Sequence, residues 1–437
     1  MAERTVTKWA RRRLAALAYR DLRLFFAGEL TSLLGSSMST LAVSFAVLDG
    51  GGTQTELGLI MAARIVPMVA LLPVGGVVAD RVGPRRVMVC ADVLRCASQA
   101  VLAAALLSGR PGMWVFVVPA VAWGAGEAFG MPARGGLIPR LAASGAAYEG
   151  RLRDANALSG LAQSLANVGG PALAGVLVAV VGPGVVVALD AATYGAAAVA
   201  VALLRVSDIP LASPGTRKGA AREGWDEFRS RTWLWVTTLQ FTLFNVLVWA
   251  PFLVLGPVVA HDRLGGAQSW GLIMSVYGTG AVAGGLVMVG GRTPRRPLVV
   301  ATVATFGWAL PPGAMAAGLP TAVIAGAALV AGAGAAVCGA LYATTNQRHV
   351  PPGVLARITS LTAVGAFALG PIGLAAAGPV AAAVGLAVLL GFGALWQLAA
   401  GAVVLAVPDV RRLTGSPDIA GSPDTVGRPE VARTPVE

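Results

Sequence analysis

Six ionisable side chains sit inside stretches that are otherwise apolar enough to cross a bilayer: Glu29, Arg64, Asp92, Arg95, Glu127 and Asp190. A charge at the middle of a membrane costs about 2.5–3.5 kcal/mol on insertion scales, so residues of this kind mark a substrate path, a proton relay or a paired structural role. A carboxyl group that binds and releases a proton at membrane depth is what a proton-coupled carrier requires. Glu127 is the first candidate for that task and Glu29 the second, each with a satisfied ion pair as the alternative. Asp92 and Arg95 are three residues apart, one turn of a helix, and are expected to form a structural ion pair.

Other chemistry is poorly provided for. Cys90, Cys96 and Cys338 all lie in apolar runs without a C-x-x-C spacing, and the two histidines, His261 and His349, stand on different loops. Neither a disulfide framework nor a metal site is expected. Gly124-x-Gly126-x-x-x-Gly130 and Gly278-x-Gly280-x-x-x-Gly284 are glycine-rich, but they fall inside apolar runs and do not follow strands, so helix packing is expected there rather than a nucleotide loop. Neither Lys8 nor Lys218 follows a glycine, and no G-x-x-x-x-G-K-[ST] stretch occurs. No cofactor and no enzymatic activity are expected. Energy for any work would come from an ion gradient or a partner chain.

The elements that must position these residues are membrane spans. Of the 437 residues, 56% are hydrophobic and 12% charged, with a mean hydropathy of +0.73. Soluble domains carry about 25% charged residues. Runs long enough to cross a bilayer, each needing ~20 residues, fall at 22–48, 57–79, 87–108, 113–137, 155–181, 184–204, 233–260, 270–291, 297–318, 320–342, 354–378 and 380–407. The expected fold is therefore all-α, with twelve transmembrane helices. Splits at Gly318/Pro320 and Gly378/Pro379 rest on a Gly-Pro turn alone.

Charge tests this topology. Of the 33 Lys and Arg residues, 29 lie in alternate segments: the N-terminus, 80–86, 134–153, 205–231, 292–296, 348–357 and the chain after 407. The intervening loops hold only Arg110 and Arg263. The positive-inside rule then places both termini in the cytoplasm of a cell inner (cytoplasmic) membrane. The net charge of +12 is read as a topogenic signal with lipid as the neighbour, not as a nucleic-acid surface. The expected units are a basic N-terminal segment (1–21), a six-helix bundle (22–204), a cytoplasmic linker (205–231), a second six-helix bundle (232–407) and a disordered cytoplasmic tail (408–437).

The two bundles repeat each other. Gly58-Leu59-Ile60-Met61 opens the second span and Gly271-Leu272-Ile273-Met274 the eighth. Each run then reaches a Gly-Gly pair (75–76, 284–285) and a Pro-Arg-Arg turn (84–86, 294–296), and Gly170-Pro171 matches Gly370-Pro371. Landmarks in the same order describe a parallel repeat, with the substrate path between the halves. The stretch Gly76-x-x-x-Asp80-Arg81-x-Gly83-x-Arg85-Arg86 stands between the second and third spans, where Gly83 and Pro84 turn the chain and Gly76 is expected to let helices approach closely. It resembles the loop between helices 2 and 3 of the major facilitator superfamily, a family of secondary transporters. The second copy, at 285–296, has no acid where Asp80 would align.

That resemblance implies a gating latch in which Asp80, with Arg81, Arg85 and Arg86, meets the eleventh helix near Val354. Ala166-x-x-x-Gly170-Pro171-x-x-Ala174-Gly175 resembles the fifth-helix motif of drug–proton antiporters, with alanine at two of its glycine positions. Ala120 stands where such antiporters carry an arginine. Pro132-Ala-Arg134, Ile138-Pro139-Arg140-Leu141, Asn156 and Gln347-Arg348-His349-Val350-Pro351 resemble the branch of enterobactin-type siderophore exporters and macrolide efflux pumps. In this fold the third and sixth helices are peripheral, which singles out Glu29, Arg64 and Glu127 for the cavity. The second bundle contributes Asn245, Trp249 and Tyr277. A charged wall facing an apolar one suits an amphiphilic substrate, and the expected partners are that substrate, protons and lipid, for a monomeric chain. The resemblance implies efflux by alternating access, in exchange for protons. An importer or uniporter of the same fold, and a membrane sensor or scaffold, remain open alternatives.

Overall fold

A computed structural model describes residues 19–109, 112–142, 148–205, 220–288, 294–350, 358, 361–362 and 369–414. Side chains 142, 148–151, 153 and 220–224 are not described. The basic segment before residue 19, most of the linker, the tail from 415 and Val354 lie outside the described residues.

The described chain is helical, without strands. Six helices precede the linker: α1 (Arg20–Asp49), α2 (Gln54–Val82), α3 (Pro84–Ser108), α4 (Met113–Ala142), α5 (Tyr148–Val181) and α6 (Pro183–Ala202). Six follow it: α7 (Thr232–Arg263), α8 (Ala267–Met288), α9 (Pro297–Ala316), α10 (Thr321–His349), α11 (Gly370–Val384 in its described part) and α12 (Leu386–Ala406). Eleven are long and apolar enough to cross a bilayer, and α11 is a shorter apolar helix. A short helix at Ala220–Ser230 precedes α7. Arg231, at its end, donates to the His349 carbonyl at 2.7 Å, tying the linker to the end of α10.

Local chemistry sets the helix ends. Thr53 caps α2 in a reciprocal capping box: its hydroxyl accepts from the Glu56 N–H at 3.2 Å, and its own N–H donates to the Glu56 carboxylate at 2.7 Å. Proline occupies the first turn of α3, α6 and α9, where the missing N–H is not needed.

The junction between α2 and α3 is shorter than the sequence suggested. Only Gly83 lies between them, at φ 102°, a conformation open to glycine but strained for other residues. Asp80 and Arg81 belong to the last turn of α2, and Arg85 and Arg86 to the first turn of α3. The split after Gly318 stands, with α10 starting at Thr321. The split at Gly378/Pro379 does not. There α11 runs through Pro379, and the chain turns at Gly385, at φ 93°. Gly378 instead lets α11 lie against the start of α2: a Cβ there would meet the Gln54 carbonyl at 2.6 Å. The expectation for Gly76 is likewise corrected. A Cβ on Gly76 would touch nothing within 4 Å, whereas its neighbour Gly75 packs against the Ala128 carbonyl of α4.

The two bundles share one apolar core at the end that carries Asp49. Phe45 and Leu57 of the first bundle and Phe252, Leu255 and Leu374 of the second belong to the same buried cluster. Gly271 of α8 lies against the Pro171 carbonyl of α5, Gly58 of α2 against the Leu374 carbonyl of α11, and His261 reaches Asp49 at 3.4 Å. Small residues at these crossings allow backbone contact. At the opposite end, which carries Gly83, the core divides among the described residues. One cluster (Leu22, Val87, Leu137, Leu158) belongs to the first bundle alone, and another (Trp233, Leu298, Ile358, Val404) to the second.

Candidate functional site

The buried charges gather inside the first bundle. Arg95 of α3 is 1% exposed and forks between two carboxylates. Its Nη1 donates to Glu127 Oε2 of α4 at 2.5 Å, and its Nη2 donates to Asp92 Oδ1 one turn back on α3. The guanidinium also lies 4.6 Å from the ring centre of Tyr194 on α6. Charge-assisted bonds of this kind offset the loss of hydration. With both acids ionised the three groups sum to −1, and one bound proton makes them neutral. Space for the arginine comes from the Gly124-x-Gly126-x-x-x-Gly130 stretch. A Cβ on Gly126 would meet Arg95 Cγ at 2.7 Å, and one on Gly130 its Nη2 at 3.0 Å. Gly124 packs against the Arg64 carbonyl.

Glu29 forms a second centre. It is 4% exposed on α1. Ser159 of α5 donates to its Oε2 at 2.7 Å, and Arg134 Nε of α4 lies 3.8 Å from its Oε1. Three helices therefore converge on one carboxylate. A third set surrounds Asp190 of α6, which is fully buried; Gln99 of α3 donates to it at 2.6 Å and reaches Ser39 of α1 at 2.6 Å. Between these sets, the Trp123 indole donates to the Tyr194 hydroxyl at 2.8 Å, and that hydroxyl lies 2.6 Å from Ser36.

Arg64 lies over the Trp123 ring, 3.3 Å from its centre, and donates to Thr40 at 2.8 Å. It lines a small cavity of the first bundle. Trp249 and Tyr277 line another, with Trp308; the Trp249 ring centre is 5.8 Å from Tyr277 and 4.8 Å from Trp308. Asn245 begins a π-helical turn, Asn245–Trp249, in the middle of α7, and its amide donates to the Phe241 carbonyl at 2.9 Å. Such turns concentrate at functional sites. Of the four residues expected at one cavity, Arg64 thus lines one, Trp249 and Tyr277 line another, and Asn245 lines neither of these.

At the latch motif, Asp80, Arg81 and Arg86 are exposed and Arg85 is half-buried. Arg85 donates to the Val201 and Ala202 carbonyls, at 3.3 and 2.5 Å, and Arg20 donates to the Leu203 carbonyl at 3.1 Å. Cations there satisfy the free carbonyls at the end of α6. In the fifth-helix motif, Gly170 lies against Ser37 of α1, while Gly175 lies against Ala267 and Gly271 of α8, bringing the two bundles into backbone contact at the Asp49 end.

The contacts that several members of these sets make were not read from the sequence. Arg134 was counted among the topogenic loop cations, but it lies in α4, two turns after Glu127 on the same face. Tyr194 is one turn beyond Asp190, and Gln99 one turn beyond Arg95. That 3–4 spacing of polar residues is the signal that could have found them. Among the described residues, no group of three His, Cys, Asp or Glu side chains could hold a metal ion.

Eleven helices long and apolar enough to cross a bilayer, with charged side chains buried among them, define a multi-pass membrane protein. Residues 25–374 match the family model of the Major Facilitator Superfamily, and the chain belongs to that superfamily of transporters. It is 27% identical over 420 residues to the "Multidrug efflux pump Tap" of Mycobacterium tuberculosis, covering 90% of this chain and 95% of the relative. To "Macrolide efflux protein A" of Streptococcus pyogenes it is 23% identical, covering 82% of this chain and 89% of the relative. To the MFS-type transporter y4rN of Sinorhizobium fredii it is 31% identical, covering 83% and 91%. Among solved structures, a mutant of the peptide transporter POT superposes with a TM-score of 0.71 at 14% identity, covering 90% of this chain and 95% of that one. A bacterial homologue of the iron transporter ferroportin in an inward-facing state gives 0.66 at 18% identity, covering 89% and 98%. These likenesses show the fold.

Proposed function

We propose that this chain is a secondary exporter that moves a small amphiphilic molecule (an antibiotic, a siderophore or a related metabolite) out of the cell by alternating access, in exchange for protons. The observation that carries the reading is the Arg95 fork between Glu127 and Asp92. Protonation of Glu127 releases one arm of Arg95 and leaves a neutral Asp92–Arg95 pair, so a single proton changes what α3 and α4 hold between them. Glu29, held by Arg134 and Ser159, is the second acid able to couple protonation to helix movement. The efflux pumps to which the chain is similar support the direction. The basic segments support an orientation with both termini in the cytoplasm. In that orientation the shared core closes the outer end and the divided core faces inward, so Asp80 and its arginines act as a latch on the cytoplasmic side.

The test is flux. Everted membrane vesicles carrying the protein are given an acidic lumen, so that protons leave as substrate enters, and a panel of amphiphilic antibiotics. At least one compound accumulates, and an uncoupler abolishes that accumulation. Accumulation that survives the uncoupler removes proton coupling, and no flux for any compound leaves the chain a sensor or scaffold.

A further inference from the structure

Among the described residues the second bundle holds no charge at membrane depth, yet its interior is not filled. A cavity of about 490 Å³ lies within it, lined by residues of α7, α9, α10 and α12 and by Thr362, with no residue of the first bundle. Small-molecule sites commonly fall between about 300 and 1,000 Å³. By the order of the repeat, α9, α10 and α12 stand where α3, α4 and α6 stand in the first bundle. There the interior is occupied by Arg95 and its carboxylates; here it is open.

Two features of the wall specify a ligand. The first is aromatic surface. Phe241 and Phe244 stack at 5.7 Å, and Trp308 meets Phe244 edge-on at 4.6 Å. None of the described lining residues is charged. The second is a pair of acceptors. Asn346 is 7% exposed and Gln397 1% exposed, both line the cavity, and neither Asn346 Oδ1 nor Gln397 Oε1 has a hydrogen-bond partner. The amide nitrogen of Gln397 donates to the Thr305 carbonyl at 3.1 Å, which leaves its oxygen as the free atom. Buried polar atoms without partners are uncommon in folded proteins and call for an explanation. Among the described lining residues a carboxylate or phosphate finds no donor cation, and an ammonium finds no counter-charge.

We infer that this cavity is a ligand site of the second bundle for an uncharged amphiphile, whose aromatic or aliphatic body packs on Phe241, Phe244 and Trp308 and whose N–H or O–H groups donate to the buried oxygens of Asn346 and Gln397 once those side chains turn toward the cavity. No described residue of the first bundle lines the site, and binding there does not depend on proton coupling or on the direction of transport.

Binding to the full chain in lipid nanodiscs, without any gradient, tests this. The probe is N-phenyl-1-naphthylamine, an uncharged aryl amine with one N–H, read by energy transfer from tryptophan. Its N-methyl analogue, which lacks the donor, is the comparison. The parent amine binds saturably, and the analogue about tenfold more weakly. Trp308→Phe removes a large share of the transfer. A Cβ on Gly339 of α10, which lines the cavity, would touch nothing within 4 Å. Gly339→Leu therefore fills the space and weakens binding by at least about tenfold. Asn346→Leu with Gln397→Leu brings the two probes to equal affinity. Equal affinities in the wild type, or binding unchanged in Gly339→Leu, overturn the proposal and leave the cavity to water. If Gly339→Leu fails to elute as a single species, the comparison of the two probes in the wild type decides alone. Binding without flux upholds this site and sinks the export reading; flux without binding does the reverse.

Discussion

Gly126 and Gly130 leave the space that the Arg95 side chain fills, so the ion pairs of the first bundle depend on residues that carry no charge. Gly126→Ala would place a methyl 2.7 Å from Arg95 Cγ and 3.1 Å from the Ala91 carbonyl, near the root of the side chain, where it cannot swing clear. The expected cost is about 1–3 kcal/mol, as for other overpacked interiors. It is read as a lower thermal midpoint of the purified protein, with Gly339→Ala as a control that leaves it unchanged. Glu127→Gln keeps the shape and removes the charge. Driven export is expected to fall to background while substrate exchange continues, and normal driven export in that variant would remove Glu127 as the carrier. At this scale the sequence was legible along single helices. Asp92 and Arg95 are one turn apart, and their pairing follows from that spacing alone. That Glu127 completes the fork, and that Arg134 turns to Glu29, depends on which faces of α1, α3 and α4 meet, and no spacing within one helix carries that.

At the scale of elements, the junction of α2 and α3 is a single glycine, so the acid and the three arginines of the latch motif ride on two rigid helix ends. Arg85 is engaged with the end of α6, whereas Asp80 faces outward at the last turn of α2. Asp80→Asn is expected to lower export about tenfold, the scale of a typical coupling between states, with little change in thermal midpoint; wild-type export would show the latch to be dispensable here. The run of spans was readable from hydropathy, and proline and glycine marked most of the breaks. The exception was instructive. Gly378-Pro379 looked like a turn, but a proline is tolerated in a packed membrane helix when neighbours satisfy the freed backbone, and Gly378 serves close contact with α2 instead. Likewise only one glycine of the pair at 75–76 packs, because helix geometry turns its neighbour about 100° away.

For the whole molecule, the shared core at the Asp49 end joins helices that precede the linker to helices that follow it. Gly271 lies against the Pro171 carbonyl across that joint. Gly271→Val is expected to pry the end open. In a background with the three native cysteines replaced by serine, a Leu57→Cys thiol, fully buried in the joint, should then react about tenfold faster with a water-soluble maleimide; that factor corresponds to roughly 1.4 kcal/mol lost from closure. An unchanged rate would place the joint elsewhere. The same asymmetry between ends bears on how the protein is made. Each bundle has its own apolar core at the Gly83 end, and the two meet through packed surfaces as well as through the linker. Two separate polypeptides, one ending and the other beginning between residues 206 and 219, should find each other in the membrane. When they are produced in one cell with an affinity tag on only one, the untagged piece is expected to co-purify. Covalent continuity would then be a convenience of synthesis, and the chain a heterodimer in all but its peptide bond.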